Sequence, residues 1–187
     1  MKDANSIDSH RNEIAQLIPE VEIMFGFDQQ HRAHQHDLWL HSCHTVVSLS
    51  RYLDDGELYL DGLLHDIGKP YCQSRVSGEN KGGIRYIDHS AKGMEIVRDC
   101  VIPAIYSGGV TVSDEDIKRL SFYIGSHDDY FNLKSHLDKV SLVELKNLIL
   151  LQIADAGSHI QLPAVKRRLL LCRRLLGELE LLGEKGV

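Results

Sequence analysis

No apolar run of 18 residues occurs in this chain, so no segment reads as a transmembrane helix. The stretch Met1 to Glu13 is polar and acidic where a secretory leader needs an apolar core. The four cysteines, Cys43, Cys72, Cys100 and Cys172, form no CxxC pair, which argues against a zinc ribbon or a thioredoxin-like couple. Dispersed thiols without an export signal read as reduced, so the expected location is cytoplasmic. Positive charge is also scarce: 21 Lys and Arg stand against 27 Asp and Glu, a formal net charge of −6. That balance argues against duplex DNA or an anionic membrane as partner. With 187 residues, 43% of them apolar, the chain suits one domain, 1–187, with a sizeable core.

Histidine, by contrast, is abundant, at 11 residues, a composition that points to metal or phosphate chemistry. The apolar spacing is helical nearly throughout. Helices are predicted over 7–25 (bent at Pro19), 38–53, 57–66, 89–101 (ended by Pro103), from Ser113, from Ser141 and over 163–182. Ser113 precedes Asp114, Glu115 and Asp116, and Ser141 with Glu144 forms a capping box. Residues 72–88 hold Ser77-Gly78, Asn80 and Gly82-Gly83 and read as a loop with a short hairpin around 76–88. The fold class is therefore all-α, a bundle of six or seven helices.

Within this frame His65 and Asp66 stand side by side where a helix ends, followed at once by Gly68 as a stop and by Lys69. Adjacent helical side chains diverge by about 100°, so both reach one ion only if it sits off the helix end. A nitrogen beside a carboxylate suits Fe, Mn, Ni, Co or Zn better than a pure magnesium cage. The alternative is a helix terminus at which His65 caps carbonyls and Asp66 pairs with Lys69. Asp155 lies inside the apolar run Leu150 to Ala156, and a buried carboxylate there needs a cation or a basic side chain. With His41, His89 and His127, one candidate group comes from each of five helices, which is how bundle cores build metal sites.

Five motifs in one order carry a resemblance. They are His34-Gln35-His36-Asp37-Leu38-Trp39-Leu40-His41, Leu63-Leu64-His65-Asp66-Ile67-Gly68-Lys69-Pro70, Tyr86-Ile87-Asp88-His89 with Gly93, Ile124-Gly125-Ser126-His127, and Leu151-Gln152-Ile153-Ala154-Asp155. Over about residues 14–160 the chain resembles the HD superfamily of metal-dependent phosphohydrolases. Within it, the chain is most similar to the HD domain of bacterial tRNA nucleotidyltransferases of the CCA-adding and poly(A)-polymerase-like kind. Only about 15 residues precede the match, so nucleotide addition is not expected. The chain departs from two-metal members in having Asp88 and Ser90 beside His89, where those often carry Gly and Glu. The Glu-Asp pair of guanosine-tetraphosphate hydrolases and the Gly-Tyr-Pro signature of cyclic-di-GMP phosphodiesterases are both absent.

The resemblance implies that His41, His65, Asp66 and Asp155 hold one divalent ion, and that His89 and His127 hold a second bridged by Asp66. The ion or ions would be Fe, Mn, Ni, Co, Zn or Mg. It implies hydrolysis of a phosphate mono- or diester of a nucleotide or an RNA end by a metal-activated water, with Asp66 and Lys69 catalytic. A dinucleoside-polyphosphate or pyrophosphate hydrolase, and a non-catalytic nucleotide- or RNA-binding module, are the alternatives. His34 and Lys69 are expected to touch substrate phosphate; Arg75, Lys81 and Arg85 sit on the loop at the expected mouth, Arg85 as a substrate contact. Residues 71–88 and 104–113 are expected to shape the cavity. His10, His136 and His159 read as surface or capping groups. The last helix, with Arg167, Arg168, Arg173 and Arg174 among its leucines, reads as an amphipathic closing helix packed on the domain or on a second copy, or as an RNA-contact strip.

Overall fold

Pro19 has no amide hydrogen to donate, and the helix predicted over 7–25 breaks at it. The computed structural model, which describes residues 3–75, 83–130, 136 and 139–185, shows α1 (Ala4–Asp8), α2 (Arg11–Leu17) and a 3-10 turn (Pro19–Met24) there instead. Then come α3 (Leu38–Leu49), α4 (Gly56–Leu64), α5 (Lys69–Cys72), the strands β1 (Gln73–Arg75) and β2 (Ile84–Tyr86), and α6 (His89–Ile96). After them follow α7 (Ile102–Ser107), α8 (Asp114–Ser126), α9 (Leu142–Gly157) and α10 (Pro163–Lys185). The molecule is an all-α bundle with one small hairpin, as its periodicity predicts. No helix among the described residues is long and apolar enough to cross a membrane.

Both predicted caps are present. Ser113 and Asp116 close a reciprocal capping box on α8, and Ser141 and Glu144 do the same on α9. Several boundaries differ from expectation, α3 among them, which ends at Leu49 rather than at 53. Pro103 does not end a helix; the chain widens into a π turn over Val97–Val101 and continues as α7, with Pro103 in its first turn. A proline ring at an α-helical position would meet the carbonyl four residues earlier, and the wider turn relieves that clash. The hairpin starts earlier than 76: Gln73 pairs with Tyr86 and Arg75 with Ile84, antiparallel. Residues 76–82, including Lys81, lie outside the described residues.

Two apolar clusters hold the bundle. In one, Leu38, Trp39 and Val46 of α3 meet Val21 and Met24, Leu63 and Leu64 of α4, Ile96 of α6 and Ile124 of α8. In the other, Leu148, Ile149 and Leu151 of α9 meet Leu49, Leu58, Tyr130 and Cys172, and Leu169, Leu175, Leu176 and Leu179 of α10 pack against them. α10 is thus a closing helix whose leucine stripe lies on α9, with Leu170 on the opposite, exposed face. α9, packed against both α3 and α10, carries Asp155 to the centre.

Gly68 is not the left-handed stop that a glycine after a helix commonly makes; its backbone is right-handed helical. It is a contact glycine. A Cβ there would stand 2.1 Å from the His89 carbonyl oxygen and 2.7 Å from the Gly93 amide nitrogen. The missing side chain lets the His65–Lys69 turn lie directly on α6, which is how His89 comes beside Asp66.

Candidate metal centre

α4 ends at Leu64, two residues earlier than predicted, and residues 65–68 form a turn. The turn solves the convergence problem posed by two neighbouring side chains, because His65 Nε2 and Asp66 Oδ2 come within 3.1 Å. Around them the bundle gathers the other predicted ligands. His41 Nε2 of α3 lies 3.1 Å from Asp155 Oδ1 and 3.6 Å from Asp66 Oδ2, and His65 Nε2 lies 3.6 Å from Asp155 Oδ1. On the other side, His89 Nε2 and His127 Nε2 each lie 3.3 Å from Asp66 Oδ1. All six residues are buried.

Two metal-capable groups result, His41–His65–Asp66–Asp155 and Asp66–His89–His127, with ligand atoms within 4.8 Å of one another in each. They share Asp66, which turns one carboxylate oxygen to each group. The imidazoles are aimed by backbone. His65 Nδ1 donates to the Gly62 carbonyl (2.9 Å), His89 Nδ1 to Tyr86 (2.7 Å) and His127 Nδ1 to Ile124 (2.7 Å). Two of these carbonyls belong to the last turns of α4 and α8, where they have no partner within the helix. With Nδ1 bonded to backbone, each Nε2 is turned to the centre.

The donor set fits divalent ions. Among the described residues, His65 Nε2 is buried beside Asp66 Oδ2 and Asp155 Oδ1 without a well-aligned hydrogen bond to either. His89 Nε2 and His127 Nε2 face each other at 3.2 Å, a spacing that either one shared proton or a cation between them satisfies. Nitrogen and carboxylate oxygen together suit Fe, Mn, Ni, Co or Zn.

The electrostatics are those of buried carboxylates held ionised. Burial would raise Asp66, but His65 and Lys69 outweigh it and hold it well below the usual carboxylate range. Burial would likewise raise Asp155, but the charge of His159, the bond from His41 and the nearby His65 keep it low. Burial depresses His41 to about 4, keeping it neutral and ligand-ready at pH 7. His65 goes the other way: burial lowers it, but Asp66 and Asp155 lift it to about 10.

Lys69 sits 2.5 Å from Asp66 Oδ2, donates to Gln29 Oε1 at 3.0 Å, and lies over the Tyr86 ring. Tyr86 in turn donates to the Gln29 carbonyl, so the α5–hairpin segment is tied to the 26–37 loop. His34 projects from that loop into the site, its ring 5.0 Å from His41 and 4.3 Å from His159; burial and then Lys69 depress it to about 2. Arg85 is exposed and outside the cavity lining, while Ile84 and Tyr86, one residue to either side, line it, as strand alternation requires.

The cavity above the ligands holds about 340 Å³. The hairpin contributes Ile84 and Tyr86, but among the described residues none of 104–113 lines it. Ile105 and Val110–Val112 line a separate cavity of about 300 Å³ against α4 and α8. The missing wall is supplied by the start of α10, through Leu162, Ala164, Val165 and Arg168.

Three groups at the site escape sequence reasoning. His159 is buried, not at the surface; its Nδ1 meets the Asp155 carbonyl at 2.8 Å, and it forms a third metal-capable group with His34 and His41. The i, i+4 spacing of Asp155 and His159, the latter just past the end of α9, is the signal that finds it. Tyr130 donates to Asp155 Oδ2 at 2.9 Å, leaving Oδ1 for the histidines. Arg168 stacks on the Tyr130 ring at 4.0 Å and donates to its hydroxyl at 3.1 Å. Neither Tyr130 nor Arg168 stands in a spacing pattern with the ligands. Neither a protein-family model nor a curated protein matches the chain.

Proposed function

We propose that the protein is a metal-dependent phosphohydrolase acting on a phosphate mono- or diester of a nucleotide or an RNA end. The observation that carries this reading is the Asp66 carboxylate, one oxygen turned to His41, His65 and Lys69 and the other to His89 and His127. A buried carboxylate shared between two histidine groups is the arrangement needed to bridge two ions. The motif resemblance to the HD superfamily supports the same class, and the nucleotide preference rests on it. Divalent ions at such a centre supply Lewis acidity towards phosphoryl oxygens and an acidified water.

The chain's own groups do the rest. His41, His65 and Asp155 hold the first ligand set and His89 and His127 the second, with the His65, His89 and His127 rings locked by backbone bonds and His41 held by Asp155. Tyr130 holds Asp155 in register. Lys69 brings a fixed positive charge to the floor of the cavity, where it neutralises Asp66 and opposes charge growing on a phosphoryl oxygen. His34 presents its imidazole to the same space.

One observation favours a rival, a self-neutralised ion network without metal: the 2.5 Å pair of Lys69 and Asp66. That rival must carry His65 as the charged partner of Asp66 and Asp155, yet His65 Nε2 makes no well-aligned hydrogen bond to either. Protein loaded with Mn, Fe, Co, Ni or Zn, assayed on p-nitrophenyl phosphate, bis(p-nitrophenyl) phosphate and 2′,3′-cyclic nucleotides, decides between them. Hydrolysis that disappears in Asp66→Ala, together with bound metal, supports the reading. Metal-free wild-type protein, inert on all three substrates, overturns it.

A further inference from the structure

Arg168 is the one arginine of the closing helix that lines the cavity, among the described residues. Its guanidinium lies 4.0 Å from the centre of the Tyr130 ring, and Nη1 donates to the Tyr130 hydroxyl. Asp128 Oδ1 and Asp155 Oδ2 stand at 3.7 and 3.9 Å, close enough for attraction and too far for hydrogen bonds. A guanidinium has five N–H donors in a planar fork. Among the described residues only the bond to Tyr130 uses one, and the side chain remains 35% exposed towards the cavity. The ring fixes the plane of the fork before any ligand arrives, so little entropy is lost on engaging an oxyanion.

We propose that Arg168 is a substrate-phosphate clamp of the metal centre, engaging two non-bridging oxygens of the phosphate, with Lys69 also lining the cavity. The inference rests on the phosphohydrolase reading. It assigns the closing helix a role in binding, and it makes the centre selective for groups with two free oxygens and high charge. A phosphomonoester dianion offers more of both than a diester. Tyr130 links clamp and ligand set, because the same hydroxyl that accepts from Arg168 donates to Asp155.

The test uses full-length, metal-loaded protein, with inorganic phosphate titrated by calorimetry and metal content measured in parallel. Arg168→Gln is expected to weaken phosphate binding about 10- to 100-fold at unchanged metal content, the effect of losing a charged bidentate contact. Arg168→Lys keeps the charge without the fork and is expected to fall between the two. In steady-state assays the loss appears in KM for p-nitrophenyl phosphate more than in KM for bis(p-nitrophenyl) phosphate. Phosphate affinity within twofold of wild type in either variant overturns the inference, as does loss of metal in parallel with phosphate, which would make Arg168 a prop for Asp155. Should Arg168→Gln not fold, Arg168→Lys alone decides by the same criterion. A wild type that binds no metal, or binds metal and no phosphate, sinks the phosphohydrolase reading and this inference with it.

Discussion

Gly68→Ala is the substitution that separates the fold of this centre from its chemistry, because the new methyl meets backbone and no ligating atom. Its Cβ would lie 2.1 Å from the His89 carbonyl oxygen and 2.7 Å from the Gly93 amide nitrogen, where real Cβ contacts stay above 3.0 Å. Both obstacles are backbone, so no side chain can swing aside, and α6 must retreat from the His65–Lys69 turn by roughly 1 Å. Overpacking of this kind destabilises by about 1–3 kcal/mol. The retreat carries His89 away from Asp66 Oδ1, now 3.3 Å distant, while His41, His65 and Asp155 lie outside the strained contact. Urea unfolding of the metal-free variant should show the stability loss, and a metal titration should show one site weakened and one retained. Unchanged stability together with two intact sites would refute the close-approach argument. Equal loss of both sites would refute the division of the ligands into two groups.

Other outcomes follow from single contacts. Lys69→Ala should retain metal while slowing hydrolysis by roughly 100-fold, measured as kcat on p-nitrophenyl phosphate; loss of metal instead would make the lysine structural. Asp88 holds a left-handed backbone (φ 61°), which glycine adopts freely and aspartate tolerates, so Asp88→Gly should leave stability and metal content nearly unchanged. Asp88→Val should lower stability by about 1–2 kcal/mol in urea unfolding. The metal-free protein should bind metal with proton release. His65 is lifted to about 10, so at pH 8 it is charged when metal-free and must lose its proton to serve as a ligand. By linkage, its pairing with Asp66 and Asp155 stabilises the metal-free fold fully below about 6.5 and fades as pH rises through about 10. Calorimetry in buffers of different ionisation enthalpy measures the released proton, and buffer-independent heats would contradict it.

Asp155 and the His65–Asp66 pair stand out from the residues themselves, whereas the full set of six candidate ligands comes from the motif resemblance. Asp155 inside an apolar helix, and His65 beside Asp66 at a helix end, demand partners wherever they occur. The convergence itself was not legible, since it depends on α4 ending at Leu64 and on the Gly68 contact with α6. Gly68 reads from sequence as a stop because glycine after a helix commonly is one; only the approach of another backbone reveals its use. Asp88 shows the converse. Where the two-metal proteins that this chain resembles often carry glycine, it has an aspartate that tolerates the left-handed backbone. The cavity wall was misplaced because 104–113 and the start of α10 look equally loop-like or amphipathic in sequence, and the packing of α9 against α10 decides which one reaches the centre.

The most direct measurement is the number of metal ions per chain, located by anomalous scattering in crystals of wild-type protein and of Asp66→Ala. The account predicts two ions in the wild type on opposite sides of the Asp66 carboxylate, and neither retained at full occupancy in the variant. Two ions still bound without that carboxylate, or none in the wild type, would contradict it.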